Sequence, residues 1–479
     1  MRVINPRWRL VASRSLLIGT MLTLAALLLA VPLVTVPLQA QRAELERTIR
    51  KRVLPNGLEV IVVPGGGVPI ATVELVVRNG AFTQTPEYAG LAHLFEHMFF
   101  KANDRYPRSD EFLDRAASLG AVFNATTREE LVNYYLTVVA DSVEGGMQFL
   151  DAALRGAQFR DDELRREKVV VLGEYDRAES SPYFRLDERV GRQLWGSYWS
   201  RKNTIGDRAV ITSVTPEQMR TIRDLYYVPN NSALIVAGDV EPERIFAIAE
   251  RTFGDWARGE DPFTRAPIPP VEPLRESRGV IVEEAVNAVT VQIQWHGPGA
   301  SADQAATFAA DVYSDVLNQP TSRFQQRLVE SGLWQGVGVN YYTLNNVGPI
   351  TVSGQTTPDK LREALKALEA ELAATLAPGY FTAEELAAVK ANRAVTTAFG
   401  QERASENAHT IGFWWSVIGL DYHLGYIDEM AKQTPRQLQD YARRYIVGRP
   451  RITGVMLPEG EKARLKLTEQ ELAGREGTP

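Results

Sequence analysis

The sequence predicts an α+β protein: two similar α+β domains joined by a proline-rich linker, behind an N-terminal signal segment. Three observations carry this. Short apolar runs of strand character alternate with longer helical stretches along most of the chain. Pro262, Pro267, Pro269, Pro270 and Pro273 fall between Gly259 and Gly279 and divide it into halves of similar length. The second half also echoes the first. Thr215-Pro216-Glu217-Gln218-Met219 with Tyr226 and Val228 returns as Thr434-Pro435-Arg436-Gln437-Leu438 with Tyr445 and Val447, always 219 positions later. Phe159, Glu163, Leu164 and Lys168 return as Phe381, Glu385, Leu386 and Lys390, 222 positions later. A constant offset over several positions marks a duplication.

Composition narrows the function. The chain has 479 residues, 53 basic against 59 acidic, with 44% hydrophobic and 23% charged residues, which belongs to globular domains. It has no cysteine, so disulfides, thiolate metal sites and thiol nucleophiles are excluded. Its mild acidity gives no support for nucleic acid as a partner.

Residues 1–40 read as a signal peptide or anchor. Arg2, Arg7, Arg9 and Arg14 precede an apolar run from Leu16 to Leu38, and Ala40 offers a cleavage point. The expectation is export to a bacterial periplasm, with membrane association only through this segment if it is retained. Residues 41–258 form the expected first domain. Leu58 to Val63 and Ala71 to Arg78 read as two strands of a hairpin, and Gly90 to Lys101 as a helix. Another helix over Ser109 to Leu119, strands near 121–125 and 133–139, helices from Ser142 to Ser180 and a buried strand at Leu234 to Ala237 follow. After the linker at 259–279, residues 280–460 form the homologous domain, with a strand-like stretch to Trp295 and a helix over Asp303 to Leu317. Residues 461–479 read as a charged, loosely packed tail.

The chemistry concentrates in two places. Histidine occurs only five times, yet two stand four apart in His93-Leu94-Phe95-Glu96-His97. On a helix this spacing puts both imidazoles on one face, with Glu96 on its flank, the reversed form of the zinc-peptidase arrangement. A catalytic zinc takes a third protein ligand. The stretch Asp161 to Glu174 offers Glu167 and Glu174, seven apart and on one helical face. Beside Val170 and Val171 a buried carboxylate needs a partner, which a metal or a metal-bound His supplies.

These motifs, with seventy-six residues between His97 and Glu174, resemble the pitrilysin/insulinase family of zinc peptidases. More precisely, they resemble its short two-domain bacterial members, relatives of the mitochondrial processing peptidase subunits. Leu54-Pro55-Asn56-Gly57-Leu58, Gly90-Leu91-Ala92, Asn124-Ala125 with Thr127, Asn133-Tyr134-Tyr135, Pro229-Asn230-Asn231 and Gly238-Asp239-Val240 extend the resemblance over most of the chain. It implies one zinc ion per chain on His93, His97 and Glu174, with Glu96 as general base and Glu167 as an acid supporting the site. It further implies that Asn124 and Ala125 lend backbone groups to a peptide substrate added as an extra strand. The expected activity is zinc-dependent endopeptidase action on unfolded peptides. The alternative is a non-catalytic scaffold or peptide-binding subunit of the same fold.

One departure bears on partners. Family members that enclose their substrate carry an Arg and a Tyr seven apart in the non-catalytic half. Here Arg323 is followed at that distance by Glu330, and Arg327 by Trp334. The chain is therefore expected to act with a homologous zinc-free subunit or as a homodimer. His296, His409 and His423 have no ligand-like spacing, Trp414 and Trp415 read as core, and Asn345 to Gly348 reads as a hairpin turn.

Overall fold

The apolar runs of the first half assemble into a six-stranded sheet. Its strands are β1 (Arg50–Val53), β2 (Glu59–Pro64), β3 (Ile70–Val77), β4 (Val122–Thr127), β5 (Val132–Val139) and β6 (Ser232–Gly238), in the order β1-β2-β6-β3-β5-β4. The structure is a computed structural model and describes residues 41–474, so the signal segment expected at 1–40 lies outside the described residues. Among the described residues no helix is long and apolar enough to cross a membrane.

The expected hairpin of β2 with β3 does not form. β6 lies between them, parallel to β2 and antiparallel to β3. Ala233 to Ala237 are almost fully buried. A strand apolar on both faces is satisfied in the middle of a sheet rather than beside a hairpin edge.

Helices cover one face of this sheet: α1 (Leu91–Phe99), α2 (Ser109–Ser118), α3 (Val143–Gly156) and α4 (Asp161–Glu179). Behind them α5 (Pro182–Trp195) leaves for the other half. The second half builds a five-stranded sheet from β7 (Arg278–Glu284), β8 (Val289–His296), β9 (Gly336–Tyr341), β10 (Pro349–Thr356) and β11 (Ile452–Pro458). Its order, β7-β11-β8-β10-β9 with β7 parallel to β11, repeats β2-β6-β3-β5-β4. Its helices are α6 (Gln304–Asn318), α7 (Leu361–Ala374), α8 (Ala383–Gly400), α9 (Ala404–Val417) and α10 (Leu420–Ala431).

The halves exchange cover. From α9, Ala408, Ile411 and Trp415 pack on the outer face of the first sheet against Ile61, Val76 and Ile235. From α5, Leu186, Val190 and Leu194 pack on the second sheet against Val280, Val282 and Ile452. The approach is close: a Cβ on Gly412 of α9 would stand 2.8 Å from both Glu74 Oε1 and Val76 Cγ2.

Residues 461–474 of the tail are also better anchored than their composition implies. Glu461–Leu465 and Glu469–Leu472 are helical turns, and Leu467 and Leu472 are buried in the second core. Arg362 Nε donates to Glu471 Oε1 at 2.6 Å. Two leucines among many charges are enough to hold this segment down. The loop carrying Asn345 to Gly348 joins the paired strands β9 and β10, as a hairpin connection should.

Candidate metal centre

The helix α1 begins abruptly because Gly90 takes a left-handed backbone, φ 93°. Its N–H donates to Gln84 Oε1 at 2.9 Å, and the N–H of Ala92 donates to the same oxygen at 3.3 Å. Leu91, Leu94, Phe95, Met98 and Phe99 bury one side of the helix. The half-buried His93, Glu96 and His97 are left on the other. The two imidazoles meet edge to face with centroids 4.9 Å apart.

Helix α4 brings the carboxylates. Glu174 Oε2 lies 3.5 Å from His93 Nε2 and 3.5 Å from His97 Nε2. One ligand atom from each of His93, His97 and Glu174 falls within 4.8 Å of the others, the one such cluster among the described residues. Glu167 stands behind His97, with Oε2 3.4 Å from Nδ1, and its other oxygen pairs with Lys101 Nζ at 2.6 Å. The valines around these acids divide: Val171 is buried, but Val169 and Val170 are 70% and 47% exposed. Glu167 is therefore held by His97 and Lys101, not by an apolar surround.

The electrostatics suit a cation. Burial, then the neighbouring His97, pushes His93 down to about 4, so its imidazole is neutral near pH 7, as a metal ligand must be. Burial opposes charge on His97, but its hydrogen bond to Glu167 and the charges of Glu174 and Glu96 raise it above its ordinary value. Burial would raise Glu167, yet the His97 and Lys101 hydrogen bonds hold it below the usual carboxylate value. Burial raises Glu96, against the opposing pull of a hydrogen bond from Thr127. Two imidazole nitrogens and a carboxylate oxygen, with one imidazole oriented by a carboxylate behind it, form a donor set of the kind a zinc ion takes.

The sheet edge lies beside this cluster. β4 is the last strand of its sheet, and Thr127 at its end donates from Oγ1 to Glu96 Oε2 at 2.5 Å. Asn124 is exposed and Ala125 nearly buried on the same strand. The Ala125 N–H already donates to Asn124 Oδ1 at 2.9 Å, so an incoming peptide must displace that amide to use this donor. Lys101 and Gln84 carry no motif and escaped the sequence reading.

The second half repeats the framework with other chemistry. α6 packs on α8 as α1 packs on α4. Asp311 and Asp315, again four apart, replace the imidazoles as the paired groups, and Arg393 of α8 binds Asp315 through Nε at 2.9 Å and Nη2 at 2.7 Å. Tyr426 donates to Asp311 at 2.7 Å. A guanidinium charge is thus fixed beside this pair of carboxylates. Arg327 pairs with Glu371 at 3.0 Å, and Trp334 is buried with its indole N–H on the Ala364 carbonyl. Histidines 296, 409 and 423 stay apart from the cluster: His296 Nε2 lies 2.9 Å from the Leu194 carbonyl oxygen, His409 meets Glu74, and His423 is buried.

Residues 62–207 match the profile of insulinase (peptidase family M16), and residues 213–393 match that of the peptidase M16 inactive domain. The chain belongs to the insulinase, or M16, peptidase family. A relative named as an uncharacterized zinc protease, from Rickettsia felis, is 23% identical over 370 residues, which is 76% of this chain and 87% of that one. Among solved structures, a protease from Helicobacter pylori superposes with a TM-score of 0.76 at 20% identity, covering 86% of this chain and 99% of the other. The first half of the periplasmic protease PqqL from Escherichia coli does so with a TM-score of 0.72 at 19% identity, over 90% and 98%. M16 membership and these names support a peptidase role. The two structural likenesses speak for the fold.

Proposed function

We propose that this M16 chain is an exported zinc-dependent endopeptidase that cleaves unfolded peptides laid along β4. The observation that carries the proposal is the convergence of His93, His97 and Glu174 within 4.8 Å, with Glu96 on the same helix face. Zinc held by the three residues would supply Lewis acidity, polarising a carbonyl and lowering the pKa of water to ~7.

The chain's own groups do the rest. Glu96, steered by Thr127, accepts the proton of the attacking water and returns it to the departing amine nitrogen. Glu167, anchored by Lys101, fixes the His97 ring so that Nε2 faces Glu174. The free edge of β4 accepts peptide main chain as one more strand, which demands little of the substrate's sequence. Residues 41–258 serve as the catalytic domain, 280–460 as its non-catalytic homologue and 259–279 as the linker.

With Arg327 and Trp334 engaged inside their own half, the substrate grip comes from a second subunit, either a homologous zinc-free chain or another copy. The signal segment expected at residues 1–40 supports a periplasmic location, as does the location named for PqqL. The test is zinc analysis of purified protein together with cleavage of unfolded peptides by wild type and Glu96→Gln. One zinc per chain in both and a loss of at least a hundredfold in kcat for the variant support the reading. Equal residual cleavage would sink it.

A further inference from the structure

Side chains of β4 alternate between the two faces of the sheet. Thr127 turns toward Glu96 and the metal cluster. Its neighbour Thr126 opens on the other face, into a hollow of about 370 Å³ between the sheet and α9. Tyr135 of β5 and His409, Phe413 and Trp414 of α9 line it, with Arg128 alongside.

The floor is rigid. His409 Nδ1 lies 2.5 Å from Oε2 of the fully buried Glu74, Asn133 donates to Glu74 Oε1 at 2.7 Å, and the Tyr135 ring meets the His409 ring at 4.2 Å. On the α9 side, Phe413 and Trp414 stand edge to face at 5.0 Å, and Trp414 stacks on Tyr422 at 4.7 Å.

A peptide paired with β4 shares its alternation. Residues flanking those that face the metal therefore present their side chains on this side. We propose that the hollow is a specificity pocket for an aromatic side chain of the bound peptide, with its selecting wall supplied by the second half of the chain. The proposal rests on strand addition at β4, as in the function proposed above.

The lining decides the class. Arg128 is the one charged side chain of the lining and sets a like charge against a basic substrate group, while Glu74 is fully buried behind His409 and Asn133 and adds no free charge to the wall. Four rings, of Tyr135, His409, Phe413 and Trp414, offer the edge and face contacts that favour another ring over an aliphatic chain. The space also suits a large side chain, so a small one leaves the walls unfilled. The catalytic role belongs to one half and the choice of side chain to the other.

The experiment uses the zinc-loaded full chain and unfolded ten-residue peptides in which one position at a time is Phe, Leu, Glu, Lys or Ala. Cleavage sites are read by mass spectrometry. Binding of the same peptides to Glu96→Gln is read by calorimetry, so the pocket is measured apart from turnover. The expected result is at least a tenfold preference for Phe over Ala at one position, in both kcat/KM and Kd. Thr410→Arg, a change at an exposed site bordering the hollow, and Phe413→Ala each reduce that ratio to about two or less.

Cleavage with no position favouring Phe, or a preference that survives both variants, overturns the pocket and leaves the peptidase reading intact. Selective binding by Glu96→Gln without cleavage by wild type overturns the peptidase reading and upholds the pocket. Neither binding nor cleavage overturns both.

Discussion

Thr127, at the end of the edge strand, donates its hydroxyl to Glu96 on the metal helix at 2.5 Å. The bond ties the surface that would hold the peptide to the carboxylate that would move its proton. Thr127→Val removes the donor while keeping the shape. We expect kcat to fall about tenfold with zinc content unchanged. Steady-state kinetics beside metal analysis checks this, and a loss of zinc would assign the bond a structural role instead.

Glu167 reaches His97 from behind, and Lys101 holds Glu167 in place. Glu167→Gln should weaken zinc binding by about 10–100-fold, as the loss of a carboxylate behind a ligand histidine does. Lys101→Met should produce a smaller loss of the same sign. Competition with a chromophoric chelator measures both.

Gly90 is a structural requirement of the same helix. At φ 93° an added Cβ would stand 2.9 Å from the Gly206 Cα and 3.0 Å from the Ile205 carbonyl oxygen. Gly90→Ala should cost about 2 kcal/mol or more in urea denaturation and lower zinc occupancy with it. Full stability in the variant would show that the turn can relax.

Arg393 stands against Asp315 and near Asp311 in the second half, where Asp311 is raised to about 6 mainly by burial. Arg393→Ala leaves two carboxylates without their cation, and about 2–4 kcal/mol of stability should go. The added change Asp315→Asn should restore a good part of it. Chemical denaturation of the single and double variants decides.

Acid should also draw stability from two buried histidines. Burial lowers His423 to about 4, and burial first of all lowers His296 to about 4 as well. Between pH 6.5 and 4 the unfolded chain therefore binds more protons at these two sites than the folded one, so their contribution to stability falls as pH falls through that window. Each histidine accounts for up to roughly 3 kcal/mol by the low end. Urea midpoints from pH 7 to 4.5 should decline less steeply for His423→Gln than for wild type.

The sequence disclosed this site well because its donors are unusual residues at fixed spacings. Two of five histidines stood one helical turn apart, and the carboxylates stood seven residues apart on a second helix. The repeated Thr-Pro segment disclosed the duplication, since the same capped helix start, Thr215 and Thr434, recurs in each half. Strand order was not legible. Whether β2 meets β3 or β6 depends on which partner buries Ala233 to Ala237, and no local pattern states that. The support from Lys101 and Gln84 was hidden for a similar reason: common polar residues acquire a role only through neighbours far along the chain. The valines of α4 misled because a run of apolar letters in a helix must turn some of them to solvent.

The crossed placement of α5 and α9 has an outcome for the molecule's history. Cut anywhere in the proline-rich connection, either piece would display a bare apolar sheet and carry a helix with nothing to rest on. What began as two copies of one ancestral unit has thus become a single object, and later change in the second copy is constrained by the shelter it gives its sibling.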